Sequence, residues 1–299
     1  MLFRSAVIIK YFHRNLLLDG KGFDYHGTPK AILKGRAIAF VAFMVISAAS
    51  SILPILQLLI LPVIPWMLVR AFHFRAANSS FCNLRFHFSG EVKAAAKVFL
   101  GYGFLSSISF GLLFPAFYRQ QRLFVLNNTA YGTAKFHTDF SNKEIYSVFM
   151  KPGLAFLGLS VVMGIIVSFF AKGKAALALL GILPLFFVLL AFLWVVLYGW
   201  VQVNLFNLIW NNTRVAKHRF ISRLDTKGYL KLVVKNWLLT FVTLGLYWPW
   251  AKVAVATYRA ERTKLLVRGS LEGIVAQETQ AIGALGDEAA DMFDFDVAL

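Results

Sequence analysis

The sequence predicts an all-α polytopic membrane protein, built from repeated helix units with short basic β-hairpins on the cytoplasmic face. Three observations lead there. The chain is 59% hydrophobic and only 15% charged over 299 residues. Its charges gather in short segments between long uncharged apolar stretches. A pattern also recurs, in which Asn is followed eight residues later by Phe and fifteen later by Lys. The copies are Asn15/Phe23/Lys30, Asn78/Phe86/Lys93, Asn128/Phe136/Lys143 and Asn212/Phe220/Lys227, and Thr263 and Leu271 keep the register of a degenerate fifth. Alternation of a basic polar segment with an apolar one is the expected form of a repeat-built membrane protein.

The elements follow in order. The first hairpin lies around Asp19-Gly20, a strong two-residue turn signal between apolar-bearing arms. The stretch 37–69 is long for one span and short for two, and Pro54, Pro62 and Pro65 interrupt it. Phe86-His87-Phe88 forms the second arm of the next hairpin, and Phe136 and Phe220 mark later ones. Uncharged stretches run over 152–171 and 175–213, joined by Lys172-Gly-Lys174, and the part from 152 to about 200 fits two spans of the ~20 residues a helix needs to cross the bilayer. The stretches 98–118 and 236–251 are short, the latter reaching only about 24 Å as a helix. The expected domains are a repeat-built integral membrane domain over 1–276 and an acidic C-terminal tail over 277–299.

A second repeated element precedes the hairpins. Gly111 and Pro115, like Gly245 and Pro249, stand four residues apart. Pro65 and Pro115 each lie thirteen residues before their Asn, and Pro249 lies fourteen before Thr263. These five residues are the candidate helix breaks, since Gly and Pro at such spacing interrupt a helix.

Charge supplies topology. Lys and Arg number 31 against 14 acids, for a formal charge of +17. Seven of the acids follow Arg268, so the preceding part is more basic still. Bases flanking apolar runs follow the positive-inside rule, which places the hairpins and the tail in the cytoplasm. No nucleic-acid reading motif accompanies them, so nucleic acid is not an expected partner. With both ends in the cytoplasm, 98–118 and 236–251 turn back within the membrane as re-entrant helices; the alternative is a single pass each.

Chemistry is sparse. The apolar stretches contain no Asp, Glu, Lys, Arg or His, which argues against proton-coupled transport. No phosphate loop, nucleophile elbow or paired carboxylate occurs, so no enzyme is expected and no cofactor or metal is implied. His87 and His137 share one repeat position without a carboxylate or Cys at ligand spacing. The single Cys82 excludes an intramolecular disulfide framework. Lys30, Lys93, Lys143 and Lys227 stand where polar sequence re-enters apolar sequence. They either snorkel to the interface or contact anionic lipid headgroups. The expected partners are thus the bilayer and its anionic lipids, with a homo-oligomer or a protein partner left open. Asn78-Ser-Ser80, Asn127-Asn-Thr129 and Asn211-Asn-Thr213 match the glycosylation sequon but read as hairpin-start asparagines.

The run from Asn236 through Leu244-Gly-Leu-Tyr-Trp-Pro-Trp-Ala to Lys252, with Phe23-Asp-Tyr-His-Gly27 and Ile32-Leu-Lys-Gly-Arg36, resembles the signature of the YjgN-type family. The resemblance implies a multi-pass protein of the bacterial inner membrane and transfers no catalytic or binding residue. It also implies an apolar segment before the first hairpin, which residues 1–14 are too short to supply. The function expected is passive or partner-driven handling of a lipid or small solute. The alternative is a membrane scaffold that uses its basic face and acidic tail.

Overall fold

The computed structural model describes residues 14–18, 20–28, 60–170 and 176–268, with scattered positions between 10 and 58. The acidic tail, Lys30 and Asp19 lie outside the described residues. Strands β1 (Leu17–Leu18) and β2 (Lys21–Tyr25) precede helix α1 (Ile60–Ala77), and β3 (Ser79–Phe81) and β4 (Leu84–Phe88) follow it. Next come α2 (Val92–Ala96), a π-helical stretch (Lys97–Tyr102), α3 (Gly103–Ile108) and α4 (Phe114–Asn127). Strands β5 (Thr129–Tyr131) and β6 (Ala134–Thr138) lead into the long helices α5 (Asn142–Phe170) and α6 (Ala176–Asn211). The chain continues through β7 (Thr213–Val215), β8 (His218–Ser222), α7 (Thr226–Val242), α8 (Trp248–Glu261) and β9 (Thr263–Leu266).

The strands overturn the all-α expectation. They form a nine-stranded sheet in strict sequence order, β1 to β9. The predicted hairpins are not separate ornaments, because β2 pairs with β3, β4 with β5 and β6 with β7, all antiparallel. The physical reason is the edge. An isolated hairpin leaves a row of unpaired N–H and C=O groups and is marginal in water. The neighbouring hairpin satisfies that row. The fold is therefore a mixed one, helices plus an antiparallel sheet.

Local chemistry makes each hairpin tight. Phe81 pairs with Leu84, Tyr131 with Ala134 and Val215 with His218, so every turn holds two residues. Cys82 and Asn83 both adopt positive φ, 48° and 63°, as a type I′ turn requires. The Asn of the repeated pattern closes the preceding helix. Asn78, Asn128 and Asn212 donate from Nδ2 to the carbonyls of Phe74, Phe124 and Leu208, at 2.8, 2.7 and 2.8 Å. At the start of β9 the same bond comes from Arg262 Nη1 to Tyr258 O at 3.4 Å. The last copy is therefore in register at Arg262, not Thr263. That restores the thirteen-residue spacing from Pro249.

The chain divides into two compact units. The first comprises 1–139, 213–219 and 265–299, the second 140–212 and 220–264. In the first, the Phe residues of the pattern stack between hairpins. Phe23 and Phe86 lie 6.3 Å apart, and Phe86 and Phe136 lie 6.4 Å apart. Phe81 and Tyr131 pack beneath them. A separate cluster gathers Val69, Phe88, Ala95, Val98 and Phe124, with Phe88 only 2% exposed. In the second unit, Val203, Leu224 and Tyr229 form the core. Asn207 satisfies the adjoining chain, its Oδ1 accepting from Ser222 Oγ and from Leu224 N.

Three described helices are long and apolar enough to cross a membrane: Ile60–Ala77, Asn142–Ile165 within α5 and Phe187–Asn211 within α6. Phe88 joins strand, helix and hairpin in the first unit. Its replacement by Ala is expected to cost about 3–5 kcal/mol, read as a lowered midpoint of thermal unfolding in detergent.

Candidate functional site

Three features built by this fold face outward. The first is the exposed face of the sheet. Along a strand alternate side chains point to opposite faces, so Leu84, Phe86 and Phe88 face the packed side while Arg85 and His87 point away. Lys135 and His137 of β6, Arg214 of β7 and Arg219 of β8 share that outward face, and all six side chains are exposed. His137 is directly opposite Arg214, and Arg214 is directly opposite Arg219. Like charges paired across strands are destabilising. Asp24 is the one acid among the nine strands, and it bonds Arg14 at 3.3 Å. Among the described residues the face is thus strongly cationic, with its basic side chains concentrated together.

The second feature is a set of lysine stripes on the helices that leave the hairpins. Lys93, Lys143 and Lys227 are exposed in the first turns of α2, α5 and α7. Each begins a row on one helix face: Lys93 and Lys97, and Lys227, Lys231 and Lys235, one turn apart, and Lys143 and Lys151, two turns apart. The helix starts are firmly capped beside them. Ser141 and Glu144 make a reciprocal capping box, with Ser141 N donating to Glu144 Oε2 at 2.6 Å and Glu144 N donating to Ser141 Oγ at 3.2 Å. Asp225 caps α7 by accepting from Gly228 N at 2.7 Å. That backbone bond, followed by the one from Lys227, holds the Asp225 carboxyl below its ordinary range, and the nearby charges of Lys227 and Arg262 add to the effect.

The third feature is a pair of helix breaks, one in each unit. Between α3 and α4, Gly111 N donates to Ser106 O at 2.8 Å and Phe110 N to Ser107 O at 3.1 Å. Between α7 and α8, Gly245 N donates to Thr240 O at 2.7 Å and Leu244 N to Phe241 O at 3.1 Å. Both are Schellman closures. Each turn then satisfies its remaining donors internally. Leu113 N bonds Ser109 Oγ and Tyr247 N bonds Thr243 Oγ1, both at 3.0 Å. The amides of Leu112, Phe114, Leu246 and Trp248 find backbone carbonyls within the same turn. Five consecutive N–H groups at each tip are therefore bonded without water.

The side chains at these tips are apolar and project outward. Phe110 is 98% exposed and Leu244 96%. Both occupy the left-handed region, with φ of 51° and 49°, where a bulky residue costs about 1–2 kcal/mol. Gly111 and Gly245 follow with φ of 85° and 89°, which glycine adopts readily. Pro115 and Pro249 stand second in the returning helices, within the first turn, where the missing N–H is no loss. Pro65 is placed differently, inside α1 and buried.

The structure thus sets Lys93, Lys143 and Lys227 at helix starts, and Gly111, Pro115, Gly245 and Pro249 at two turns. The outward sheet face was not recognised from sequence, although its signal is there. Arg85, Lys135 and Arg219 each stand one residue before the Phe of the pattern, on the opposite strand face.

A family model described as bacterial protein of unknown function (DUF898) matches residues 7–292. The inner membrane protein YjgN of Salmonella typhimurium strain LT2 is 22% identical over 320 residues, covering 89% of this chain and 80% of its own. No solved structure matches the chain. The three long apolar helices and this relative make the chain a membrane protein.

One titration is built into the hairpin face. His218 is buried, and its Nδ1 accepts from Arg268 N at 3.0 Å. Burial, with help from Lys217, pushes its pKa below the ordinary histidine value. The unfolded chain then binds the extra proton, so this stabilisation is present above about pH 6.5 and is lost as pH falls through the folded-state titration. Amide exchange at Arg268 is expected to speed up on acidification, against the usual base-catalysed trend, as measured by hydrogen exchange between pH ~7 and ~5.

Proposed function

The chain belongs to the DUF898 family of bacterial proteins of unknown function, and we propose that it is an inner-membrane protein that handles anionic phospholipid. In this reading the basic sheet face holds the headgroups on the cytoplasmic side. The two helical hairpins, α3–α4 and α7–α8, dip into the bilayer and return. The long helices α5 and α6 cross it and come back, making the protein multi-pass, and the repeated helix–hairpin unit is the architectural module.

One observation carries the proposal. Strand β4 pairs with β5, and paired strands cannot stand on opposite sides of a bilayer, since a sheet edge in hydrocarbon leaves its polar groups unsatisfied. The segment between them, 89–128, therefore starts and ends on one side. Its uncharged apolar part, 98–118, is too short to cross twice at ~20 residues per crossing. Its tip, with bonded amides and a projecting Phe110, is suited to hydrocarbon. The same argument applies to α7–α8, between the neighbouring strands β8 and β9. Bases near a leaflet attract anionic headgroups at about 1 kcal/mol each. Lipid at the sheet face would also relieve the repulsion between Arg214 and its neighbours.

The test is the lipid that stays with the purified protein. Extracted in neutral detergent, the protein is expected to carry phosphatidylglycerol enriched over phosphatidylethanolamine relative to the parent membrane, by mass spectrometry. Combining Arg85→Ser, Lys135→Ser, Arg214→Ser and Arg219→Ser is expected to reduce that enrichment about tenfold or more, from ~1 kcal/mol per base. Absence of enrichment in the unaltered protein, or enrichment indifferent to these substitutions, contradicts the reading.

A further inference from the structure

In the second unit, α6 and α7 lie close together at one point and part beyond it. Gly199 marks the close point, because a Cβ there would lie 2.5 Å from Leu230 Cδ2. From there a groove of about 650 Å³ opens between the helices, a volume typical of small-molecule sites. Its walls include Phe192 and Val196 of α6 and Leu230 and Leu238 of α7, and Lys231 and Lys235 stand along it.

The order of these residues along α7 is informative. Lys227, Lys231 and Lys235 come first, one turn apart, on the part of the helix that leaves the hairpin. Leu238, Phe241 and Val242 follow, running to the break at Leu244. The groove is thus apolar along its length, with Lys231 and Lys235 interleaved among its apolar walls on the side nearer the sheet, spread over about 12 Å from Lys231 to Leu239. Helix α7 contains no Asp or Glu. Its N-cap Asp225 is the nearest acid in sequence, and that carboxylate is taken up by the amide of Gly228. Lysines one turn apart repel, so the stripe is most stable with an anion beside it.

We infer that this groove is a binding site for one anionic phospholipid, its acyl chain between Phe192 and Leu238 and its phosphate on Lys231 and Lys235. The inference rests on the proposed handling of anionic lipid and locates a discrete site within it. Charge complementarity selects the occupant. A zwitterionic lipid or an apolar helix would fill the groove yet leave the lysine pair uncompensated.

The site can be tested on the full chain in liposomes of phosphatidylethanolamine and phosphatidylglycerol. A phosphatidylglycerol with a photoreactive acyl chain is the probe, and the matching phosphatidylcholine is the control. The phosphatidylglycerol probe is expected to label peptides spanning 192–196 and 230–239 several-fold more than the control. Lys231→Gln and Lys235→Gln should each lower that labelling about fivefold, with control labelling unchanged. Leu238→Trp, which fills the groove and keeps both lysines, should lower labelling by both probes. Equal labelling by the two lipids, or labelling insensitive to the lysines, overturns the site. If anionic lipid still co-purifies in that case, only the groove fails; if none does, the parent reading fails with it.

Discussion

Backbone pairing between successive hairpins is the constraint on which the rest of the structure depends. Each hairpin has an open edge, and each edge is closed by the next hairpin in the chain. In a protein with helices of membrane length, that pairing acts as topology. Strands joined by ladder hydrogen bonds share one side of the bilayer, so every intervening segment must return to where it began. A span pair such as α5 and α6 meets this requirement easily. In the proposed topology the 98–118 and 236–251 regions are too short for two crossings, and the Schellman turns at Phe110 and Leu244 would give them a way back.

The chemistry at those turns follows from the same requirement. A chain reversing in hydrocarbon has no water to satisfy its amides. Both tips would meet this requirement under the proposed topology, since backbone carbonyls and one hydroxyl each, Ser109 and Thr243, bond their amides. A glycine supplies the positive φ that follows. The left-handed Phe110 and Leu244 cost conformational energy, offset where their side chains leave water for lipid at roughly 25 cal/mol per Å². Strain and exposure at one residue are thus two aspects of one design.

Much of this was legible in the sequence, though not in the form it takes. The Asn of the pattern closes a helix, its Phe enters an inter-hairpin ladder, and its Lys opens the next helix, so the spacing records three distinct jobs. The Asp19-Gly20 hairpin signal was readable because turn chemistry is local. The sheet was not. Its arms are two to five residues long, and β4 meets β5 only after about forty intervening residues. No periodicity within one arm reveals a partner that distant. The last copy was misread by one residue because Arg262 uses its guanidinium where the others use an amide, and the two share no obvious likeness on paper. Phe110 and Leu244 were invisible for the opposite reason: their backbone conformation contradicts their intrinsic preference. Pro65 resembles Pro115 and Pro249 in spacing, yet it sits within α1, since a proline alone does not break a helix that packing supports.

The central claim is that the hairpins share one side of the membrane. Thiol accessibility tests it most directly. On a Cys82→Ser background, single substitutions Arg85→Cys, Thr133→Cys, Lys217→Cys and Lys264→Cys place a reporter in three successive hairpins and in strand β9. An impermeant maleimide is expected to reach none of them from outside intact cells and all of them in inverted vesicles. Alternating accessibility between successive hairpins would contradict the account, because the sheet could not then exist in the membrane-bound protein.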